Sequence, residues 1–153
     1  MNRKNTLRYL AAIFGLAVIY HLAARLGLQM AYVQQNTSPV WPPSGIALAA
    51  LLLLGIWAWP AITLGVVAGS LLTGAPPGLA VGFGVANTLE ALIAALLLRR
   101  LFRFDLGINR IRDVLALVTA AVCATAVSAV LGVATLIVSR DIVGGRANWA
   151  RSA

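Results

Sequence analysis

The sequence predicts an all-α fold: a polytopic transmembrane helical bundle of about five helices, with residues 1–153 forming one integral-membrane unit. Three observations predict it. Of 153 residues, 61% are hydrophobic and only 10% are charged, against about 25% charged and 45–50% apolar in an ordinary globular domain. Aromatic residues make up 7%, so Ala, Leu, Val, Ile and Gly carry the apolarity, as they do in membrane spans. The basic residues sit between the apolar segments, the pattern that the positive-inside rule produces. The net charge of +8 is therefore a topology signal, and nucleic acid is not an expected partner. Cys123 is the single cysteine. It cannot form an intrachain disulfide, and it reads as a small apolar residue.

The first apolar segment is Leu7–Leu28. Arg3, Lys4 and Arg8 precede or open it like the basic region of a signal peptide. Its length is that of a full span, it lacks a clear Ala-x-Ala cleavage site, and further spans follow, so a retained helix is expected. The second segment is Pro42–Ala58 and the third Pro60–Ala75, both short for a bilayer that needs ~20 residues. One long helix over Pro42–Ala75 is the alternative. Charge decides for two. If Arg3, Lys4 and Arg8 are cytoplasmic, the first helix ends outside near Met30. The basic cluster Arg99, Arg100, Arg103, Arg110 and Arg112 then falls inside only if two crossings intervene. Pro60 agrees with the split, because proline breaks a helix. Leu79–Leu98 is the fourth segment and Val114–Val138 the fifth, leaving Arg140–Ala153 as an outside loop.

Aromatic residues fit this map. Tyr32 and Trp41 fall at one interface; Trp57, Trp59, Phe102 and Phe104 fall at the other, where amphipathic rings settle. Pro42 and Pro43 suit a first helical turn. Thr37 and Ser38 can cap or turn the chain before them, and Trp41 anchors the entrance.

Polar residues inside the spans are the candidates for function. Glu90 lies about 16 Å below the outer end of its helix at ~1.5 Å per residue. A charge near the midplane costs a few kcal/mol and is usually paired or functional. Asn87, three residues earlier, shares its face. His21 and Arg25 share a face of the first helix. The same rise puts His21 about 10 Å and Asn87 about 12 Å deep. The expectation is a polar cluster of His21, Asn87 and Glu90 with Arg25 at its mouth, serving a small-molecule or proton signal. The competing reading is a protonated Glu90 that holds helices together. One histidine without further ligand residues gives no metal site, and no cofactor is expected. Gly65 and Gly69, and the stripe Ala120, Ala124, Ser128 and Gly132, allow close helix approach. No nucleophile–base pair or phosphate loop in a proper context is present, so no enzymatic activity is expected.

The stretch "PVWPPSGIALAALLLLG" carries Pro39, Trp41, Pro42, Pro43, Ser44 and Gly45. It resembles the signature of the membrane-associated sensor domain of the first MASE type. "WPAITLGVVAGSLLTG", "VANTLEALIAALLLRRL" and "RIRDVLALV" follow in the order expected of that family, as does Tyr20 to Leu26 before the signature. The resemblance covers about Leu7 to Trp149. It implies a multi-pass input domain of the bacterial inner membrane with a cytoplasmic N-terminus. Such domains are joined to histidine kinases, diguanylate cyclases or cyclic-di-GMP phosphodiesterases. The family's membrane domain is longer, and no GGDEF, EAL, histidine-kinase or receiver motif lies within these residues. The expected partners are the lipid bilayer and a cytoplasmic output domain missing from this stretch. Small-residue faces left open are to be filled by lipid or by self-association into a homo-oligomer. Two other readings stand beside it: a small transporter or substrate-binding membrane subunit with Glu90 in the site, and the remnant of a truncated gene.

Overall fold

The computed structural model describes residues 3–33, 41–102 and 110–149, with side chains described for residues 6–7, 9–27, 41–102 and 110–139. Five α-helices follow one another: α1 (Arg3–Val33), α2 (Pro42–Leu54), α3 (Trp59–Leu72), α4 (Pro77–Leu96) and α5 (Ile111–Trp149). A 3₁₀ turn, Ile56–Ala58, joins α2 to α3, and a π turn, Leu97–Leu101, extends α4. α1, α4 and α5 are long and apolar enough to cross a membrane, and α2 and α3 are shorter apolar helices.

Contacts between levels fix the direction of each helix. Gly27, late in α1, lies against Trp41 and Pro42 at the start of α2. Tyr9, early in α1, donates its hydroxyl to the Trp57 carbonyl beyond the end of α2 at 2.8 Å. α2 therefore runs antiparallel to α1. Gly65 of α3 meets Ala17 and Tyr20, and Gly69 meets His21, so α3 runs back parallel to α1. Thr63 pairs with Thr88 at 2.8 Å, while Gly84 faces Val67, so α4 descends. α5 rises against it, with Thr125 beside Glu90 and Thr135 over Gly82. The two short segments are thus separate helices running in opposite directions, as the charge pattern predicts.

The break between them is made by Gly55, not by Pro60. Gly55 has φ 105° and ψ 163°, a region open in practice to glycine alone. Pro60 instead occupies the first turn of α3, where a missing N–H costs no hydrogen bond. Proline also opens α2 and α4. The far end of α5 corrects a second expectation: Arg140 to Trp149 continue the helix rather than forming a loop. The stretch holds no proline, and the backbone ladder of the span runs on through the Gly144–Gly145 pair.

Small residues form the core. Ala61, Ala80, Ala95, Ala120 and Ala124 are fully buried, while Phe14, Leu53, Leu72 and Val130 are each at least 70% exposed. In water such an apolar surface would be a liability; in hydrocarbon it is the solvated face, and small residues let the backbones close on one another. Of the expected stripe of α5, Ala120 and Ala124 are buried, and Ala116 joins them; Ser128 and Gly132 are only partly buried, and nothing lies within 4 Å of a Cβ at Gly132.

Candidate functional site

The centre of the bundle is set by a contact between α1 and α4. Tyr20 is only 2% exposed, and its hydroxyl donates to Asn87 Oδ1 at 3.1 Å. Asn87 Nδ2 donates to the Phe83 carbonyl one turn earlier at 2.9 Å. This back-bond fixes the amide, so its oxygen is presented to α1. Glu90, one turn further along α4, is half-buried, and its Oε1 accepts a hydrogen bond from the Thr125 hydroxyl of α5 at 3.3 Å.

Tyr20 and Asn87 line two cavities, one on either side of their hydrogen bond. The first, of about 450 Å³, lies between α2, α4 and α5 and holds Glu90, Thr125 and Ser44. The second, of about 380 Å³, holds His21, Arg25, Trp41, Ser70 and Thr73. Asn87 thus shares one cavity with Glu90 and the other with His21 and Arg25. The acid and the base do not share a cavity, and the Tyr20–Asn87 pair is the partition. Tyr20 is the residue that the sequence reading did not assign to the site, and Thr125 is another. The signal for Tyr20 lay one position before His21, on a helix face that only the packing against α4 identifies.

His21 owes its room to Gly69. A Cβ at that glycine would lie 2.6 Å from His21 Nδ1, so the imidazole rests on bare backbone. His21 Nδ1 is buried without a hydrogen-bond partner. Arg25 is exposed at the rim of the second cavity, one turn above. The signature stretch has its own place here. Ser44 and Gly45 line the Glu90 cavity, Pro43 is buried, and the Trp41 ring packs over Gly27. The stretch therefore anchors an entrance and also builds one wall. Pro39, with Thr37 and Ser38, lies outside the described residues.

At the opposite end of the bundle, Arg99 donates to the carbonyls of Leu51 and Leu52 at 2.9 and 2.7 Å. These are among the last carbonyls of α2, which have no partner within the helix. The π turn delivers the guanidinium to them. Asp113, in the first turn of α5, is 1% exposed, and its Oδ2 has no hydrogen-bond partner. It shares the buried stripe of Ala116, Ala120 and Ala124, and the helix N-terminus favours its negative charge. Among the described residues no group of three His, Cys, Asp or Glu is placed to hold a metal ion. The arrangement sets a carboxyl group in one cavity, an imidazole and a guanidinium in the other, and one hydrogen bond between the two.

The chain matches the MASE1 family over residues 12–150. Neither a curated protein nor a solved structure matches it. The match runs from α1 to the end of α5 and takes in the signature, the partition and both cavities. Together with the apolar, all-helical bundle, it makes this chain a member of the MASE1 family, the membrane-embedded sensory input domains of signalling proteins.

Proposed function

We propose that the chain is the input part of a bacterial inner-membrane signalling protein, with its N-terminus in the cytoplasm, and that Glu90, Asn87, His21 and Arg25 form its signal-responsive site. The chain senses and does not catalyse; a kinase, cyclase or phosphodiesterase domain reads its state. The observation that supports the site is the Tyr20–Asn87 hydrogen bond between two cavities of opposite electrostatic character. A ligand or proton shifts the bundle only as far as it binds one packing better than the other. A tenfold shift needs about 1.4 kcal/mol of that difference, which one hydrogen bond or ion pair can supply.

The coupling is tested at the gene. Apolar spans and then a kinase or cyclase domain encoded beyond the Ala153 codon support it, and unrelated coding sequence there overturns it. The site is tested in the complete signalling protein, by phosphorylation or cyclic-di-GMP level. Glu90→Gln and Asn87→Leu are expected to lock the output in one state. An output that responds as before in both variants removes these residues from the site.

A further inference from the structure

We propose that the cleft between α2 and α5 is a binding site for an amphipathic organic cation, a primary ammonium on an apolar body, entering sideways from the membrane. α2 and α5 each pack against α4, and α4 forms the floor between them with Glu90, Ala91 and Ala94. Gly45, Ala49 and Leu53 on one wall and Ala121 and Thr125 on the other are exposed. The cavity is therefore open along its length toward lipid. Its volume of about 450 Å³ lies in the range of small-molecule sites, which are mostly apolar with a few converging polar groups.

The polar lining selects the charge. Among the described residues, Glu90 is the one acidic residue on it, and no Lys, Arg or His shares the cavity. The Tyr20 hydroxyl already donates to Asn87, the Thr125 hydroxyl to Glu90, and one Asn87 N–H to Phe83. What remains is the carboxylate oxygens and the lone pairs of the Tyr20 and Thr125 oxygens as acceptors, beside the second Asn87 N–H and the Ser44 hydroxyl. A group rich in N–H donors and carrying a positive charge fits that inventory, and an anion does not. Among the described residues the carboxylate has no cationic partner in the cleft, which within a membrane span is costly unless it is neutral or paired. An ammonium supplies the pairing. Its apolar body covers Leu48, Leu52 and Leu117. Arg99 does not compete, because it is tied to the end of α2, about 14 Å along α4 from Glu90 at 1.5 Å per residue.

The proposal rests on the sensory reading only for the consequence of binding, not for binding itself. The test uses the full chain in phosphatidylcholine nanodiscs with radiolabelled n-octylammonium, and empty discs as the partition blank. One saturable equivalent per chain is expected. Glu90→Gln lowers its affinity about 30-fold or more, as loss of one partner of a desolvated charge pair does. Ala121→Leu, which narrows the mouth from an exposed position, blocks binding with the carboxylate intact. Neutral n-octanol competes at least tenfold more weakly. Binding to Glu90→Gln at full affinity, with unchanged helicity by circular dichroism, overturns the proposal. So does equal competition by n-octanol, or the absence of saturable binding above empty discs, including through occupation of the cleft by a second copy. Glu90-dependent binding that leaves the output of the complete signalling protein unchanged keeps the cation site and overturns its sensory role.

Discussion

Tyr20 and Asn87 meet across α1 and α4, and the consequences of that pair can be measured one residue at a time. Tyr20→Phe keeps the ring that packs between the helices and removes the donor to Asn87 Oδ1. Intramembrane hydrogen bonds average about 0.6 kcal/mol in double-mutant cycles, so the unfolding free energy in mixed micelles should fall by about that much. A loss of several kcal/mol would mean that the hydroxyl holds more than this one bond. Gly65 is under tighter constraint. A Cβ there would sit 3.1 Å from the Ala17 carbonyl and 3.3 Å from Tyr20 Cβ, and backbone cannot move aside as a side-chain tip can. Gly65→Val should cost about 1–3 kcal/mol by overpacking. Gly132→Ala, with nothing within 4 Å of its Cβ, should be neutral or slightly stabilising through helix propensity. Thermal unfolding of the two variants side by side checks both expectations.

At the scale of elements, two short helices depend on how their ends are finished. Gly55 stops α2 in a conformation that L-residues avoid. Gly55→Ala should therefore destabilise the protein by about 1–3 kcal/mol, although the position is open space for a Cβ. The carbonyls at the same end are satisfied from another helix, by Arg99. Arg99→Ala should cost about 1 kcal/mol, at the low end for bonds to a charged group because the guanidinium is exposed. Arg99→Lys should recover part of this, since both bonds come from the one nitrogen Nη2 and an ammonium carries donors for two carbonyls on a shorter stem. Melting midpoints in the order wild type, Lys, Ala are the expected result, and equal midpoints would show that water caps α2 equally well. The 39 residues of α5 make a rod of about 58 Å, well beyond the ~30 Å of bilayer hydrocarbon. Its far end carries the bundle's framework past the membrane surface.

For the whole molecule, the alternation of five helices places the Gly74 turn and the α4–α5 connection at opposite ends. With the N-terminus in the cytoplasm, Pro76→Cys, exposed beside that turn, in a Cys123→Ser background should react with a membrane-impermeant maleimide in intact spheroplasts. Arg110→Cys should react only after permeabilisation. The reverse pattern would invert the proposed orientation while leaving the bundle unchanged. The Glu90 cavity lies between α2, α4 and α5, along the middle of α4. The His21 cavity lies nearer the end where Arg25 and Trp41 stand.

The sequence by itself determined the class, the number of helices and their alternating directions. These follow from one-dimensional quantities: lengths of uncharged segments, the placement of arginines between them, and prolines at helix starts. It also determined that Glu90 and Asn87 share a helical face, because spacing along one helix is fixed by its pitch. Tertiary structure alone decided which faces meet. It set Tyr20 rather than His21 against Asn87, gave Glu90 the Thr125 hydroxyl, and separated acid from base by a hydrogen bond. It moved the α2–α3 break to Gly55 and buried Asp113 in the stripe of α5. Matched depth could not foresee these outcomes, because two groups at one level of a bundle can still face different cavities. Rotation of each helix about its axis is fixed by where glycine and alanine let the backbones close, and that is a property of pairs of helices.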